Sequence, residues 1–92
     1  MTSVPLWELR ISKVAEKSVR RAPRPDRERL LHALDDMRQN PFTGDVARLK
    51  GEPSTFRRRV GDWRVLFDVY VSHRIVEVVA IVRRTTTTHR HR

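Results

Sequence analysis

A chain of 92 residues suffices for one domain with a single modest core, because a chain of this size buries little more than ~60% of its unfolded surface. Twenty Lys and Arg against eleven Asp and Glu give a net charge of +9, which points to a polyanion or an acidic protein as partner. The absence of cysteine excludes a disulfide framework, a thiolate metal site and a cysteine nucleophile.

In chain order, Leu6 to Ile11 alternates Trp7, Leu9 and Ile11 with Leu6, Glu8 and Arg10, the period of a strand. Ser12 can cap a first helix over Lys13 to about Arg21, with a thin apolar stripe of Val14, Ala15, Ser18 and Val19. Pro23 and Pro25 interrupt it. A second helix is predicted from Asp26 to about Gln39, with Leu30, Leu31, Leu34 and Met37 turned to the core. Asn40-Pro41 ends that helix, and Asn40 to Asp45 reads as a loop that leads through Arg48-Leu49-Lys50-Gly51 and Pro53 to the next strand. Ile75 to Val82 is almost continuously apolar, which predicts a central strand buried on both faces. Beyond it, Arg83 to Arg92 is polar and basic, and includes four consecutive threonines.

Between the loop and that last strand lies Phe56 to Phe67, FRRRVGDWRVLF. Two strand-forming segments around Gly61-Asp62 predict a two-residue hairpin, with Gly61 supplying the positive φ that a II′ turn needs at its first central position. The register follows: Val60 faces Trp63, Arg59 faces Arg64, Arg58 faces Val65, Arg57 faces Leu66 and Phe56 faces Phe67. Alternation then gathers Arg57, Arg59, Arg64 and Leu66 on one face and Phe56, Arg58, Val60, Trp63, Val65 and Phe67 on the other. Like charges directly opposite cost a hairpin roughly 0.2–1 kcal/mol per pair. An Arg59/Arg64 pair is therefore explained either by an anion such as phosphate between the two guanidinium groups or by a solvated face in an arginine-rich chain.

The elements sum to an α+β fold: an N-terminal strand, a helical hairpin and a three-stranded antiparallel meander, forming one mostly antiparallel sheet with both helices on one face. Residues 1–92 are expected to be a single domain with a polar basic tail at 85–92. Phe56, Val60, Trp63, Val65, Phe67, Val69, Val76 and Val78 should pack on Leu30, Leu34 and Met37. Trp7 and Trp63 read as core residues, and His32 and His73 as structural or solvated. No stretch reaches the ~20 apolar residues of a membrane span and the N-terminus lacks a signal-peptide h-region, so a cytoplasmic protein is expected.

The order of elements, the helix ending at Asn40-Pro41, the Leu49-Lys50-Gly51 step, the segment from Phe56 to Phe67 and the closing Arg83-Arg84 together resemble the RelE/ParE superfamily of type II toxins over nearly the whole chain. The resemblance to the RelE-like branch implies a ribosome-dependent endoribonuclease that cuts messenger RNA. In such an enzyme a 2′-hydroxyl attacks the adjacent phosphate while cations stabilise the transition state. It implies catalytic roles for Arg57, Arg59, Arg64 and Arg84, and RNA contacts from Lys50, Arg58, Arg83 and Arg90. It also implies a small acidic antitoxin as partner, beside the ribosome and messenger RNA, and no cofactor or metal. The ParE-like alternative is a non-enzymatic toxin acting on DNA gyrase, and a plain RNA-binding module is a third reading.

Two departures from the RelE-like pattern stand out. The only tyrosine, Tyr70, lies within a strand, whereas the family places one near the C-terminus, where this chain has His89, Arg90 and His91. His89 is therefore the candidate to stack on substrate or to move a proton, since an imidazole titrates near pH 6.5. Arg59 stands where the family often has a lysine, and a guanidinium with a pKa above ~12 does not accept a proton at neutral pH. Counting strand parity from Val76 and Val78 puts Arg83 on the arginine face, whereas the resemblance favours Arg84; both are kept, with Arg84 first.

Overall fold

The computed structural model describes residues 6–50 and 54–84. Its elements are β1 (Glu8–Ile11), α1 (Lys13–Arg21), α2 (Arg24–Gln39), β2 (Asp45–Arg48), β3 (Phe56–Val60), β4 (Trp63–Tyr70), a 3-10 turn (Val71–His73) and β5 (Ile75–Arg83). The strands form one sheet in the order β1-β5-β4-β3-β2, antiparallel throughout except for the parallel β1–β5 pair. A parallel neighbour requires a crossover, and α1 and α2 supply it, packing on one face of the sheet.

Ser12 begins α1 as expected, its hydroxyl oxygen accepting from the Ala15 N–H at 3.0 Å. The second helix starts at Arg24, two residues before the predicted Asp26, because a proline in the first helical turn sacrifices no intrahelical hydrogen bond. Its core stripe is Leu30, Ala33, Leu34 and Met37. Leu31, expected in the core, is 51% exposed, since one residue of helix turns it about 100° away from Leu30. Phe67, Val65, Val76, Val78 and Ile81 answer from the sheet, with Trp63 and Trp7 closing the core at its margins. A ring series, Trp7–Phe42–Phe56–Phe67, continues the apolar layer across the sheet at centroid spacings of 6.5, 5.7 and 5.6 Å.

The sequence reading missed β2. Its four residues DVAR carry a charge at each end and no run of β-branched residues, so only the ladder to β3 defines it. Gly44 leads into it with φ +83°, and Arg58 explains why glycine stands there. The Arg58 guanidinium donates to the Ala33 carbonyl at 3.3 Å and to Asp36 at 3.4 Å, with only 12% of the side chain exposed. A Cβ on Gly44 would lie 2.8 Å from Arg58 Nε. Gly44→Ala is expected to destabilise the domain by about 1–3 kcal/mol, the cost of a side chain at a left-handed position, read as a lower urea midpoint at unchanged slope.

The last strand also differs from expectation. Leu66 pairs with Ala80 and Phe67 with Val78, so Val79 is an extra residue in β5, a bulge. Its carbonyl accepts from the Ser12 hydroxyl at 2.7 Å. The bulge reverses the parity of everything after it: Val76, Val78 and Ile81 are buried on the helix side, while Val82 is 42% exposed on the other. The near-continuous apolar run therefore reflects this switch of face within one strand, not burial on both faces.

Candidate phosphate-binding face

The hairpin has the predicted register, from Val60 opposite Trp63 to Phe56 opposite Phe67. Gly61 has φ +59° and Asp62 is not among the positive-φ residues, as a II′ turn requires. On the sheet face away from the helices, two rows cross the strands near this turn. One is Asp45, Arg59, Arg64 and Val82; the next is Ala47, Arg57, Leu66 and Ala80. Directly opposed residues have Cβ atoms about 4.5–5.5 Å apart, so the Arg59 and Arg64 side chains rise side by side.

The bulge decides which of the final arginine pair joins them. Arg83 lies opposite Trp63 on the helix side, its guanidinium 5.6 Å from the Trp63 ring centroid and 3.9 Å from Asp26. The Arg84 N–H donates to the Asp62 carbonyl at 2.6 Å, extending the ladder one step. Alternation then sends the Arg84 side chain to the face of Arg59 and Arg64. Parity counted without a bulge pointed to Arg83, because the sequence carries no sign of the extra residue at Val79.

The arginines of the face are not equivalent. Arg57 donates to the Asp45 carbonyl at 3.0 Å and to the Asp45 carboxylate at 3.2 Å, with 17% of its side chain exposed. Its charge is thus partly committed within the protein. Arg59, Arg64 and Arg84 are exposed, and among the described residues none has a carboxylate partner. Of the other basic candidates, Arg58 belongs to the Asp36 contact on the helix side, and Arg83 to Trp63 and Asp26. Lys50 is exposed beyond the end of β2 that pairs with Phe56, away from the hairpin turn. His89 and Arg90 lie outside the described residues.

The opposite end of the same sheet face is chemically different. Glu8, Arg10, Asp68, Tyr70 and Glu77 project there by alternation, and Arg10, Tyr70, His73, Ile75 and Glu77 line a shallow cavity of about 350 Å³. The Tyr70 hydroxyl donates to Glu77 at 3.2 Å, and this bond, with the charge of Glu77, pushes the phenol pKa above its usual 10. Tyr70 is the only tyrosine, so its ultraviolet titration is unambiguous. The midpoint is expected above 10 and should fall towards 10 in Glu77→Gln. Since the folded pKa is raised, the Tyr70–Glu77 contact is intact below pH 10 and is lost as pH climbs through the phenol's folded pKa. A wild-type midpoint at or below 10 would contradict the contact.

A two-helix layer on this five-stranded, mostly antiparallel sheet is a fold like that of the RelE toxins. The chain superposes on a chain of the archaeal RelE–RelB complex from Pyrococcus horikoshii with a TM-score of 0.74 at 24% identity, covering 87% of this chain and 97% of that one. It matches the RelBE2 toxin–antitoxin complex of Mycobacterium tuberculosis with a TM-score of 0.74 at 22% identity, over 88% of this chain and 100% of that one. The isolated E. coli RelE toxin gives 0.73 at 19% identity, over 90% and 89%. No protein-family model matches the sequence, and no curated protein matches it.

Proposed function

We propose that this chain is the toxin of a type II toxin–antitoxin pair and that it cuts ribosome-bound messenger RNA in the cytoplasm. The observation that carries the reading is the grouping of Arg59, Arg64 and Arg84, without carboxylate partners among the described residues, at one end of the open face of a RelE-type sheet. Attack of a ribose 2′-hydroxyl on the adjacent phosphate breaks the bond to the 5′-oxygen of the next nucleotide, which leaves as a hydroxyl after gaining a proton, and yields a 2′,3′-cyclic phosphate; negative charge builds on the phosphoryl oxygens on the way. Guanidinium groups placed beforehand around that phosphorus stabilise the charge without reorganising. Arg64 and Arg84 clamp the phosphate, Arg59 adds charge beside Arg64, and Arg57 contributes less because Asp45 already holds it. The proton is the part that arginine cannot take; His89 is assigned that role.

The acidic antitoxin is the second half of the proposal. Several structures of like fold are toxin–antitoxin complexes, and an acidic chain folding over a surface of this charge gains both charge complementarity and apolar burial. A complex formed this way survives moderate salt, whereas nonspecific adhesion to nucleic acid weakens steeply as salt rises.

One observation favours a gyrase-directed, non-enzymatic toxin. Among the described residues of the two rows beside the hairpin turn, none is a histidine, the side chain best suited to proton transfer at neutral pH. Primer extension on translated messages, run beside a gyrase supercoiling assay, separates the two readings. New 5′ ends within coding sequence are expected; intact messages with inhibited supercoiling would overturn the nuclease reading.

A further inference from the structure

Asp26, in the first turn of α2, holds three groups at once. The Trp63 indole N–H donates to it at 3.1 Å, Arg29 donates to its other oxygen at 3.2 Å, and the Arg83 guanidinium lies 3.9 Å from it. Only 16% of the Asp26 side chain is exposed. The cluster joins a helix, the strand after the hairpin turn and the last residue of β5.

The location matters because the end of β5 is ambiguous by itself. Arg83 and Arg84 are identical side chains on adjacent residues, so a one-residue slip would exchange their faces with no change in composition at either position. Strand ends fray, and the β4–β5 ladder beyond Arg83 is held by a single described hydrogen bond, from the Arg84 N–H to Asp62. A preference for one face must come from what each face offers. The helix side offers a carboxylate and an indole ring to whichever arginine arrives; the open side offers the like charges of Arg59 and Arg64.

We infer that Asp26 is a positioning residue for Arg84: by holding Arg83 against Trp63 on the helix side, it commits Arg84 to the phosphate-binding face. Asp26 itself lies on the opposite side of the sheet from that face and touches no substrate. The inference rests on the proposed role of Arg84 in phosphate binding, but the commitment of the strand end does not.

Two measurements on Asp26→Asn test it, since asparagine keeps an oxygen for the Trp63 indole and loses the charge that holds Arg83, together with the ion pair to the exposed Arg29. The first is amide hydrogen exchange. The Arg84 amide is expected to exchange about tenfold faster in the variant, while amides in the middle of β4 are unchanged. The second is a double-mutant cycle on the affinity for a short fluorescein-labelled single-stranded RNA. Asp26→Asn should weaken binding about three- to tenfold when Arg84 is present and leave it unchanged in the Arg84→Ala background, the non-additivity of a pair that acts as a unit. A general loss of helix–sheet packing would instead speed exchange throughout β4 and weaken RNA binding equally in both backgrounds; that result, or an unchanged Arg84 amide, overturns the inference. Faster exchange at Arg84 with RNA binding indifferent to Arg84→Ala would uphold the positioning role and remove Arg84 from the proposed phosphate site. Trp63→Phe serves as the second variant: it keeps a smaller ring under Arg83 and removes the indole donor to Asp26 with part of the ring, while Asp26 keeps its charge, so a smaller rise in Arg84 exchange is expected.

Discussion

Arg64→Ala and Arg84→Ala are each expected to reduce the proposed RNA cleavage by a factor on the order of 10²–10³, the cost of losing one preorganised group that stabilises transition-state charge, and to abolish the proposed toxicity with it. Both side chains are exposed and lack a carboxylate partner among the described residues, so stability should change by less than ~0.5 kcal/mol. Removing Arg64 also relieves its like-charge pairing with Arg59, which makes a slight stabilisation the expected sign for that variant. Arg58→Ala should behave in the opposite way. It breaks the Ala33 and Asp36 contacts and leaves a gap beside Gly44, lowering stability more than activity. Growth assays on induced cells and thermal unfolding of purified variants, read together, check this division. Full toxicity in both Arg64→Ala and Arg84→Ala would remove the arginine face as the site.

Trp63→Ala is expected to cost about 3–5 kcal/mol, out of a total stability that for a small domain is typically about 5–15. Trp63 is 9% exposed and fills the core margin beside the hairpin turn. Its truncation also strips Asp26 of a hydrogen bond donor and Arg83 of the ring beneath it. For a domain of this size each kcal/mol moves the melting temperature by roughly 4–8 °C, so the variant should melt at least ~12 °C lower. Circular dichroism against temperature checks it, and a melting temperature within a few degrees of the parent would show that Trp63 is not part of the core. Activity lost in this variant says nothing about catalysis, in contrast to the arginine variants, whose fold should persist.

The hairpin was legible from the sequence because its information is local. Gly61-Asp62 sets the turn, a two-residue turn sets the register, and period-two alternation then sorts Arg57, Arg59 and Arg64 from Arg58 without reference to anything distant. The helices were legible for the same reason, through Ser12 as a cap and the spacing of Leu30, Leu34 and Met37, as was the general α+β arrangement. Three things depended on contacts between residues far apart in the chain. The edge strand β2 exists only because β3 offers it a ladder. The exposure of Leu31 follows from where the sheet sits under α2. Above all, the face taken by Arg84 depends on a one-residue bulge at Val79, whose carbonyl is bound by Ser12 from the start of α1, and on Arg83 meeting Trp63 and Asp26. Alternation is a rule about neighbours, so a single extra residue inverts everything beyond it, and what stabilises that residue belongs to another part of the chain. The sequence alone determined that this protein carries an arginine hairpin on an α+β scaffold; the tertiary structure decided which arginine completes the cluster.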